Sequence, residues 1–302
     1  MRNPTLGVCL AACLLLGPWL AACDDTIGGH TPVGGDEASD AALERFVRRA
    51  YLDLSGLPPA DADLAADAAT LRTAGTTPAA RRALVGKLMQ QAAWANVWVE
   101  ELDNRVLGGE TLTSRYQFLC SIIRSQTTGC QSCVAADPCD CACPELTVLE
   151  SERDALATAA SDLRGGMSTS AVERRYAMAT GYFALAGAPE SRARALFVDF
   201  LGRPTEGEET ENARAMIVGG LGTSPAGLLF HRHGASYADL IDIVFDDEIY
   251  REAVVASVFD RYLARQPSSA ERAHFVNALA ATNPDARPVI EAVLSSKEYF
   301  EP

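Results

Sequence analysis

Six cysteines lie within 24 residues of the 302-residue chain: Cys120, Cys130, Cys133, Cys139, Cys141 and Cys143. Thiolates at Cys-x-x-Cys and Cys-x-Cys spacings can hold zinc or an iron–sulfur cluster, and paired thiols can exchange electrons. An even number of cysteines in a segment of Gly, Pro, Ser and Asp, with little else to pack, is instead typical of disulfides. The composition therefore favours a disulfide-stapled segment, and the spacing does not select a pairing.

The histidines form a second candidate site. His231 and His233 are a His-x-His pair, which on a β-strand would place both rings on one face and could bind a metal. They lie in a Gly-flanked stretch, so we expect a surface loop instead. The sequence also contains no Gly-x-Ser-x-Gly, no phosphate-binding glycine loop and no His-Glu-x-x-His. We therefore predict no catalytic residue, no metal site and no cofactor.

The start of the chain reads as a signal for export. Arg2 is followed by an apolar run from Leu6 to Leu20 and then by Leu20-Ala21-Ala22-Cys23, which has the form of a bacterial lipoprotein box. The apolar run contains Pro18 and is too short to span a bilayer. We expect cleavage before Cys23 and acyl chains on its sulfur and amino group, which would anchor the protein to a membrane.

The charge of the chain excludes one class of function. The sequence has 26 basic and 40 acidic residues, a formal net charge of −14. Removal of residues 1–22 takes away one arginine, which leaves 25 basic and 40 acidic residues, or −15. A protein this acidic has no electrostatic attraction for nucleic acid, so we expect none as a partner.

An apolar helical stripe followed by a turn occurs three times, which predicts an all-α fold of three related helical units. The stripes contain Leu43, Phe46, Val47, Ala50, Tyr51 and Leu54; Ala193, Leu196, Phe197, Phe200 and Leu201; and Val254, Val255, Val258, Phe259, Tyr262 and Leu263. Asp53 and Asp199 occupy equivalent positions in the first two stripes. This equivalence predicts a structural turn contact for both carboxylates and not acid–base catalysis.

Each unit closes with a second signature, two pairs of apolar residues and then an aromatic residue ten positions after the first. The three copies are Leu84-Val85, Leu88-Met89 and Trp94; Leu240-Ile241, Val244-Phe245 and Tyr250; and Val289-Ile290, Val293-Leu294 and Tyr299. Four capping boxes are predicted at helix starts: Thr205 with Glu208, Ser268 with Glu271, Thr147 with Glu150, and Ser170 with Glu173.

These patterns divide the chain into seven segments. They are a signal peptide (1–22), a lipidated cysteine with a flexible tether (23–41), helical unit 1 (42–109), a Cys-rich insertion (110–146), connecting helices (147–190), helical unit 2 (191–252) and helical unit 3 (253–302).

Two parts of the sequence resemble known families. The stretch from Phe46 to Pro58, with Arg82, Leu84, Leu88, Trp94 and Trp98 after it, resembles an uncharacterised secreted domain found beside cytochrome-type domains in planctomycete-type envelope proteins. That resemblance covers residues 42–107. The C-terminal half is similar to short helical repeats of secreted bacterial proteins with a Leu-Gly-Arg-Pro turn, here Leu201 to Pro204, and a Ser-x-Glu-Tyr-Phe end, here Ser296 to Phe300. Both resemblances imply an exported helical protein, and neither implies an activity.

Together these observations favour a lipid-anchored protein of the bacterial cell envelope that faces the periplasm or the cell surface. We expect a non-catalytic binding or scaffold module whose partner is a protein or a surface glycan. The alternative is a hydrolase, or a redox or metal accessory protein, with its site at the Cys-rich insertion. In that alternative Trp94, Trp98 and Asp103, which come shortly before the insertion, line a cleft, although aromatic residues at helical spacing are typical of a core.

Overall fold

The computed structural model of the chain describes residues 39–141, 143–185, 187–219, 227–281 and 284–301. The predicted signal peptide, Cys23 and residues 24–38 of the predicted tether lie outside these residues. The described part is all-α, as predicted, apart from one small hairpin. It contains no helix with the length and apolar character needed to cross a membrane.

In chain order the helices are α1 (Asp40–Ser55), α2 (Asp61–Thr73), α3 (Pro78–Met89), α4 (Ala92–Val106), α5 (Leu112–Gln126), α6 (Pro144–Ala157), α7 (Ala159–Arg164), α8 (Thr169–Met178), α9 (Thr180–Phe183), α10 (Pro189–Leu201), α11 (Glu209–Val218), α12 (Tyr237–Asp246), α13 (Glu248–Leu263), α14 (Ser269–Ala281), α15 (Arg287–Ser295) and α16 (Lys297–Phe300). Strands β1 (Gly227–Leu229) and β2 (Arg232–Gly234) form the hairpin between α11 and α12.

Four of these helices, α1, α4, α10 and α13, share one design. The predicted stripes on α1, α10 and α13 are confirmed, because their residues are buried apart from the half-buried Val254 and Leu263. Each of the four helices is followed by a residue in the left-handed conformation: Gly56, Gly108, Gly202 and Ala264, with φ of 69°, 64°, 64° and 52°. A left-handed residue stops a helix, and glycine adopts it without a Cβ clash. We call α1, α4, α10 and α13 the first helices.

A second and a third helix complete each repeat. The second helices α2, α7, α11 and α14 pack along the first helix of their own repeat. The third helices are α3, α8, α12 and α15, and after each of them the chain begins a new helix within two residues. Helices α5 and α6 are therefore an insertion in the second repeat, and the hairpin is an insertion in the third.

The three closing signatures are confirmed, because all fifteen of their residues are buried. The structure also contains a fourth copy within the segment expected to be connecting helices. On α8 and α9 the same spacing places Val172, Tyr176 and Ala177 before Tyr182, and all four side chains are buried. This copy escapes an apolar pattern search because its second position holds Glu173 in place of an aliphatic residue.

The ends of the described chain meet through the short helix α16. The hydroxyl group of Tyr299 on α16 donates a hydrogen bond of 2.7 Å to Asp53 on α1, and Phe300 packs on Phe46. Tyr182 on α9 makes the matching contact, donating over 2.9 Å to Asp199 on α10. Asp53 and Asp199 thus each accept a hydrogen bond from a tyrosine of another helix, and not from a turn residue as expected.

The turns after α10 and α13 are fixed by an arginine. Arg203 pairs with Glu209 at 2.7 Å, and Arg265 pairs with Glu271 at 2.8 Å. Each guanidinium also lies over the phenylalanine six residues earlier, at 5.2 Å and 5.1 Å from the ring centre. The capping box of Ser268 with Glu271 is confirmed.

Three of the four predicted capping boxes are wrong. In the third repeat Glu209, and not Glu208, accepts from the backbone, because the pair with Arg203 holds it there. Helix α6 begins at Pro144, so Thr147 and Glu150 are inside the helix. Helix α8 is capped by Ser168, and this leaves Ser170 and Glu173 within its body. Only α8 receives a side-chain cap from a neighbouring residue, whereas α6 begins with a proline, which has no N–H to satisfy.

The Cys-rich insertion is stapled by disulfides, as predicted. Cys120 pairs with Cys139, Cys130 with Cys143, and Cys133 with Cys141, with Cα–Cα distances of 5.1, 5.8 and 5.9 Å. The Cys120–Cys139 bridge ties α5 to the loop that leads into α6, and the other two bridges lie within the segment between the two helices. Each closed loop is expected to contribute about 2–4 kcal/mol to stability by restricting the unfolded chain.

The His-x-His pair lies in the hairpin and not in an irregular loop. His231 is at the turn, His233 is on β2, and both side chains are exposed, as expected for a surface position. Phe230 and His231 have positive φ angles of 49° and 63°, which is the geometry that a two-residue hairpin turn requires.

Candidate functional site

A cavity of about 370 Å³ lies between helices of different repeats. Its walls come from α4, α8, α10 and α13. The size is within the range of ligand cavities, about 300–1,000 Å³. Aromatic and charged side chains alternate around it: Trp98, Phe200, Tyr250 and Tyr262 supply rings, and Glu101, Arg105, Glu173, Asp199 and Arg261 supply charges.

Helices α4 and α13 contribute to the cavity from equivalent positions. Counted from their closing aromatics, Trp94 and Tyr250, the residues of the two helices are 156 positions apart. Four such pairs line the cavity: Trp98 with Val254, Glu101 with Ser257, Leu102 with Val258, and Arg105 with Arg261. The first two pairs differ in chemistry and the last two are alike. The repeat therefore builds the framework of the cavity, and α4 adds an indole ring and a carboxylate.

A buried network on one wall joins α4, α8 and α13. Glu173 on α8 accepts a hydrogen bond from Arg105 at 2.8 Å and from the hydroxyl of Tyr250 at 2.7 Å. Burial lowers the pKa of Arg105, but the carboxylate of Glu173 raises it by more. Burial, together with the charge of Glu173, raises the pKa of the Tyr250 phenol well above its ordinary value. The network is therefore an ion pair with a neutral phenol on its second oxygen.

Asp199 is a second polar residue on the wall of the cavity. One of its oxygens accepts from Tyr182 at 2.9 Å. Burial raises the pKa of the Asp199 carboxyl above its ordinary value, although the Tyr182 hydrogen bond and the charge of Arg105 act in the opposite direction. The other oxygen has no hydrogen-bond partner among the described residues.

Arg261 and Glu101 form the more exposed ion pair at the cavity. They bridge α13 and α4, and both side chains are partly exposed. A second nitrogen of Arg261 donates to the backbone oxygen of Asp53. Arg261 thus lies beside the Asp53–Tyr299 contact in the same way that Arg105 lies beside the Asp199–Tyr182 contact.

The structure separates the residues that the sequence placed together in a cleft. Trp98 lines the cavity, whereas Trp94 is 2 % exposed and packs against Trp98 with ring centres 5.8 Å apart. Asp103 does not line the cavity and lies beside Tyr176 of α8. Burial raises the pKa of the Asp103 carboxyl. Trp94 is therefore a core residue, Asp103 is half-buried against α8, and only Trp98 of the three is at the candidate site.

The other predicted candidates lie outside the cavity. None of the six cysteines and neither His231 nor His233 is among its lining residues. In the part of the chain that the structure describes, no three His, Cys, Asp or Glu side chains are arranged to hold a metal ion. The polar groups at the cavity are instead suited to hydrogen bonding.

Glu173 is the site residue that sequence reasoning missed. It was expected to cap a helix, but its side chain is 8 % exposed and holds Arg105 at the cavity wall. The signal that could have found it is the fourth closing signature, in which a glutamate stands where the other three copies have Val85, Ile241 and Ile290. A carboxylate at a buried repeat position requires a partner, and this would have pointed to a polar network.

No protein-family model, curated protein or solved structure in our comparisons matches the chain. Function is therefore argued from the cavity and from the sequence alone.

Proposed function

We propose that this protein is a lipid-anchored, non-catalytic binding protein of the bacterial cell envelope, and that it binds its ligand in the cavity between α4, α8, α10 and α13. The ligand belongs to a surface glycan or to a partner protein.

The proposed location in the cell envelope rests first on the lipoprotein box and on the disulfides. Leu20-Ala21-Ala22-Cys23 has the form of a lipoprotein box at the end of an apolar run. The three disulfides of the Cys-rich insertion are compatible with an extracytoplasmic location, where disulfides persist. The resemblance of residues 42–107 to a secreted envelope domain supports the same address.

The observation that carries the proposed binding role is the difference between α4 and α13 at Trp98 and Val254. The Nε1 atom of Trp98 is buried with no hydrogen-bond partner among the described residues. An unpaired buried donor costs about 1–3 kcal/mol. An aliphatic residue such as Val254 fills the equivalent position without that cost. Packing alone therefore does not require an indole ring at this position, and a ring at the wall of a cavity is a surface on which a ligand can rest.

The charged groups of the cavity support binding over catalysis. Arg105 is paired with Glu173, and Arg261 is paired with Glu101. Groups held in this way act as fixed hydrogen-bonding partners for a ligand. The six cysteines are all in disulfides, so they offer no thiolate for the alternative site at the insertion.

Intact mass spectrometry of the protein from its own envelope tests the address. We expect a chain that begins at Cys23 and carries acyl chains, and a mass that rises by six hydrogen atoms on reduction of the three disulfides. A chain that retains residues 1–22, or an unmodified Cys23, would contradict the proposed anchor.

A site-specific photo-crosslinker tests the binding role. Val198 lines the cavity, and its side chain is 54 % exposed, so a photoreactive residue placed there reaches a bound ligand. Val148 on α6 is 64 % exposed and does not line the cavity, which makes it the matched control. Irradiation in the intact envelope is expected to give an adduct at position 198 only. Equal yields at both positions, or no adduct at position 198, would reject the cavity as the binding site.

A further inference from the structure

The charges that line the cavity are nearly balanced within the protein. They comprise two guanidinium groups and three carboxylates. Four of these five groups form two ion pairs, and the fifth, Asp199, accepts from a tyrosine. A charged ligand that displaced one partner of a pair would leave the other partner without its counter-charge, which is costly. A neutral ligand avoids this cost.

Hydrogen-bonding capacity remains open in the cavity after these pairs are formed. Arg105 uses one nitrogen for Glu173, its side chain is 40 % exposed, and its other nitrogens have no acceptor in the described part of the chain. The exposed hydroxyl of Ser257 has no partner among the described residues, and neither does the second oxygen of Asp199. The wall thus presents an open donor, an open acceptor and a hydroxyl that can act as both.

The remaining walls are apolar and aromatic. Phe200 and Tyr262 already carry guanidinium groups over their rings, at 5.6 Å for Arg105 and 5.1 Å for Arg261. Trp98 and Tyr250 are lining rings with no guanidinium over them among the described residues, but Tyr250 is only 1 % exposed, which leaves Trp98 as the accessible ring. A flat C–H surface can pack on such a ring.

We propose that the ligand of this cavity is a neutral saccharide. Sugar hydroxyls both donate and accept, so adjacent hydroxyls can bind the open nitrogens of Arg105 and the open oxygen of Asp199, while the C–H face of the ring packs on Trp98. The saccharide carries no charge and leaves both ion pairs intact. This inference rests on the proposed binding role of the cavity.

Tryptophan fluorescence tests the proposal because the chain has 3 tryptophans, Trp19, Trp94 and Trp98. Trp19 leaves with the proposed signal peptide, so in the mature chain with Trp94→Phe the emission reports on Trp98 alone. The probes are cellobiose and N,N′-diacetylchitobiose, with cellobiouronic acid and the de-N-acetylated chitobiose as their charged counterparts. We expect a saturable change in emission with at least one neutral disaccharide, and binding of its charged counterpart at least about tenfold weaker because a charge would be buried unpaired.

Two hydroxyl deletions supply a matched control. Ser257→Ala removes an open hydroxyl at the cavity and is expected to weaken saccharide binding by about 3–10-fold, the equivalent of one hydrogen bond. Ser151→Ala removes an exposed hydroxyl on α6 and is expected to leave binding unchanged. Unchanged affinity in Ser257→Ala, or charged probes that bind as tightly as neutral ones, would overturn the proposal.

The crosslinking experiment at Val198 separates this proposal from the binding role. An adduct at Val198 together with no response to any neutral disaccharide would overturn the saccharide and keep the binding role. Absence of both results would overturn both.

Discussion

Helices α4 and α13 occupy equivalent places in their repeats, but they line the cavity with different side chains. Each carries an arginine at the same position, Arg105 and Arg261, and each arginine lies near a carboxylate of another first helix that accepts from a tyrosine. On α13 the neighbouring positions are Val254 and Ser257, whereas on α4 they are Trp98 and Glu101. The framework is repeated and the chemistry at the cavity is not.

The carboxylates that pair with the two arginines also differ, because one is buried and the other is exposed. Arg105 is held by Glu173, a carboxylate whose side chain is 8 % exposed, and Arg261 is held by Glu101, which is 47 % exposed. The charge of a buried carboxylate is compensated only by its partner in the protein, whereas the charge of an exposed carboxylate is also solvated by water. The comparison teaches that the second repeat, with its glutamate at an aliphatic position, is the one that departs from the shared framework at the cavity.

The largest expected effect comes from breaking the buried pair. Glu173→Ala leaves Arg105 without its carboxylate and removes the acceptor of Tyr250, so we expect unfolding by urea to show a loss of about 3 kcal/mol. The matched change Glu101→Ala breaks an exposed pair and is expected to cost less than about 1 kcal/mol. Similar losses in the two variants would show that the two arginines are held alike and would remove the distinction between α4 and α13.

An intermediate effect is expected at the two tyrosine–aspartate contacts. Tyr182→Phe and Tyr299→Phe each remove one hydrogen bond to a carboxylate, at 2.9 and 2.7 Å in the native protein. We expect each change to lower the free energy of unfolding by about 1–2 kcal/mol, with the two losses within about 0.5 kcal/mol of each other. A measurable loss in only one variant would mean that α9 on α10 and α16 on α1 are not equivalent packings.

The smallest effect is a dependence on pH. Burial raises the pKa of Asp199 in the folded protein above its ordinary value of 3.8, so the folded state binds this proton more tightly than the unfolded state does. The associated stability is present below about pH 4 and is lost as the pH rises through the raised pKa. Asp199→Asn removes this loss because the amide does not ionise.

The direction of this pH dependence is tested by measuring the free energy of unfolding of Asp199→Asn and of the native chain at about pH 3.5 and pH 6.5. The variant is expected to gain stability relative to the native chain on going to the higher pH. A difference that is constant, or that falls with pH, would show that the Asp199 carboxyl is not held in a setting that favours its neutral form.

The helices and the disulfide insertion could be predicted from the sequence because their signals are local. The stripe from Leu43 to Leu54 and the signature from Val289 to Tyr299 each repeat with helical spacing, and burial follows from that spacing. The six cysteines lie within one short segment, so their closeness is also local. Their pairing is not, because it depends on how the loop before α6 folds back on α5.

The site was harder to predict because its members are far apart in the chain. Arg105 and Glu173 are 68 residues apart, and Arg261 and Glu101 are 160 apart. No local pattern connects them. The type of Trp98 suggested a cleft residue, but Trp94, four residues earlier, is of the same type. Only the tertiary packing of α4, which buries Trp94 and places Trp98 at the cavity, distinguishes them.

The most direct test of the cavity as the ligand site is to give α4 the residue that α13 has. Trp98→Val places the equivalent of Val254 on both helices, and the adduct yield of the photo-crosslinker at Val198 is then measured in the intact envelope. We predict that the yield falls by at least about tenfold while the protein stays folded, because the ring on which the ligand rests is gone. An unchanged yield in the folded variant would contradict the account.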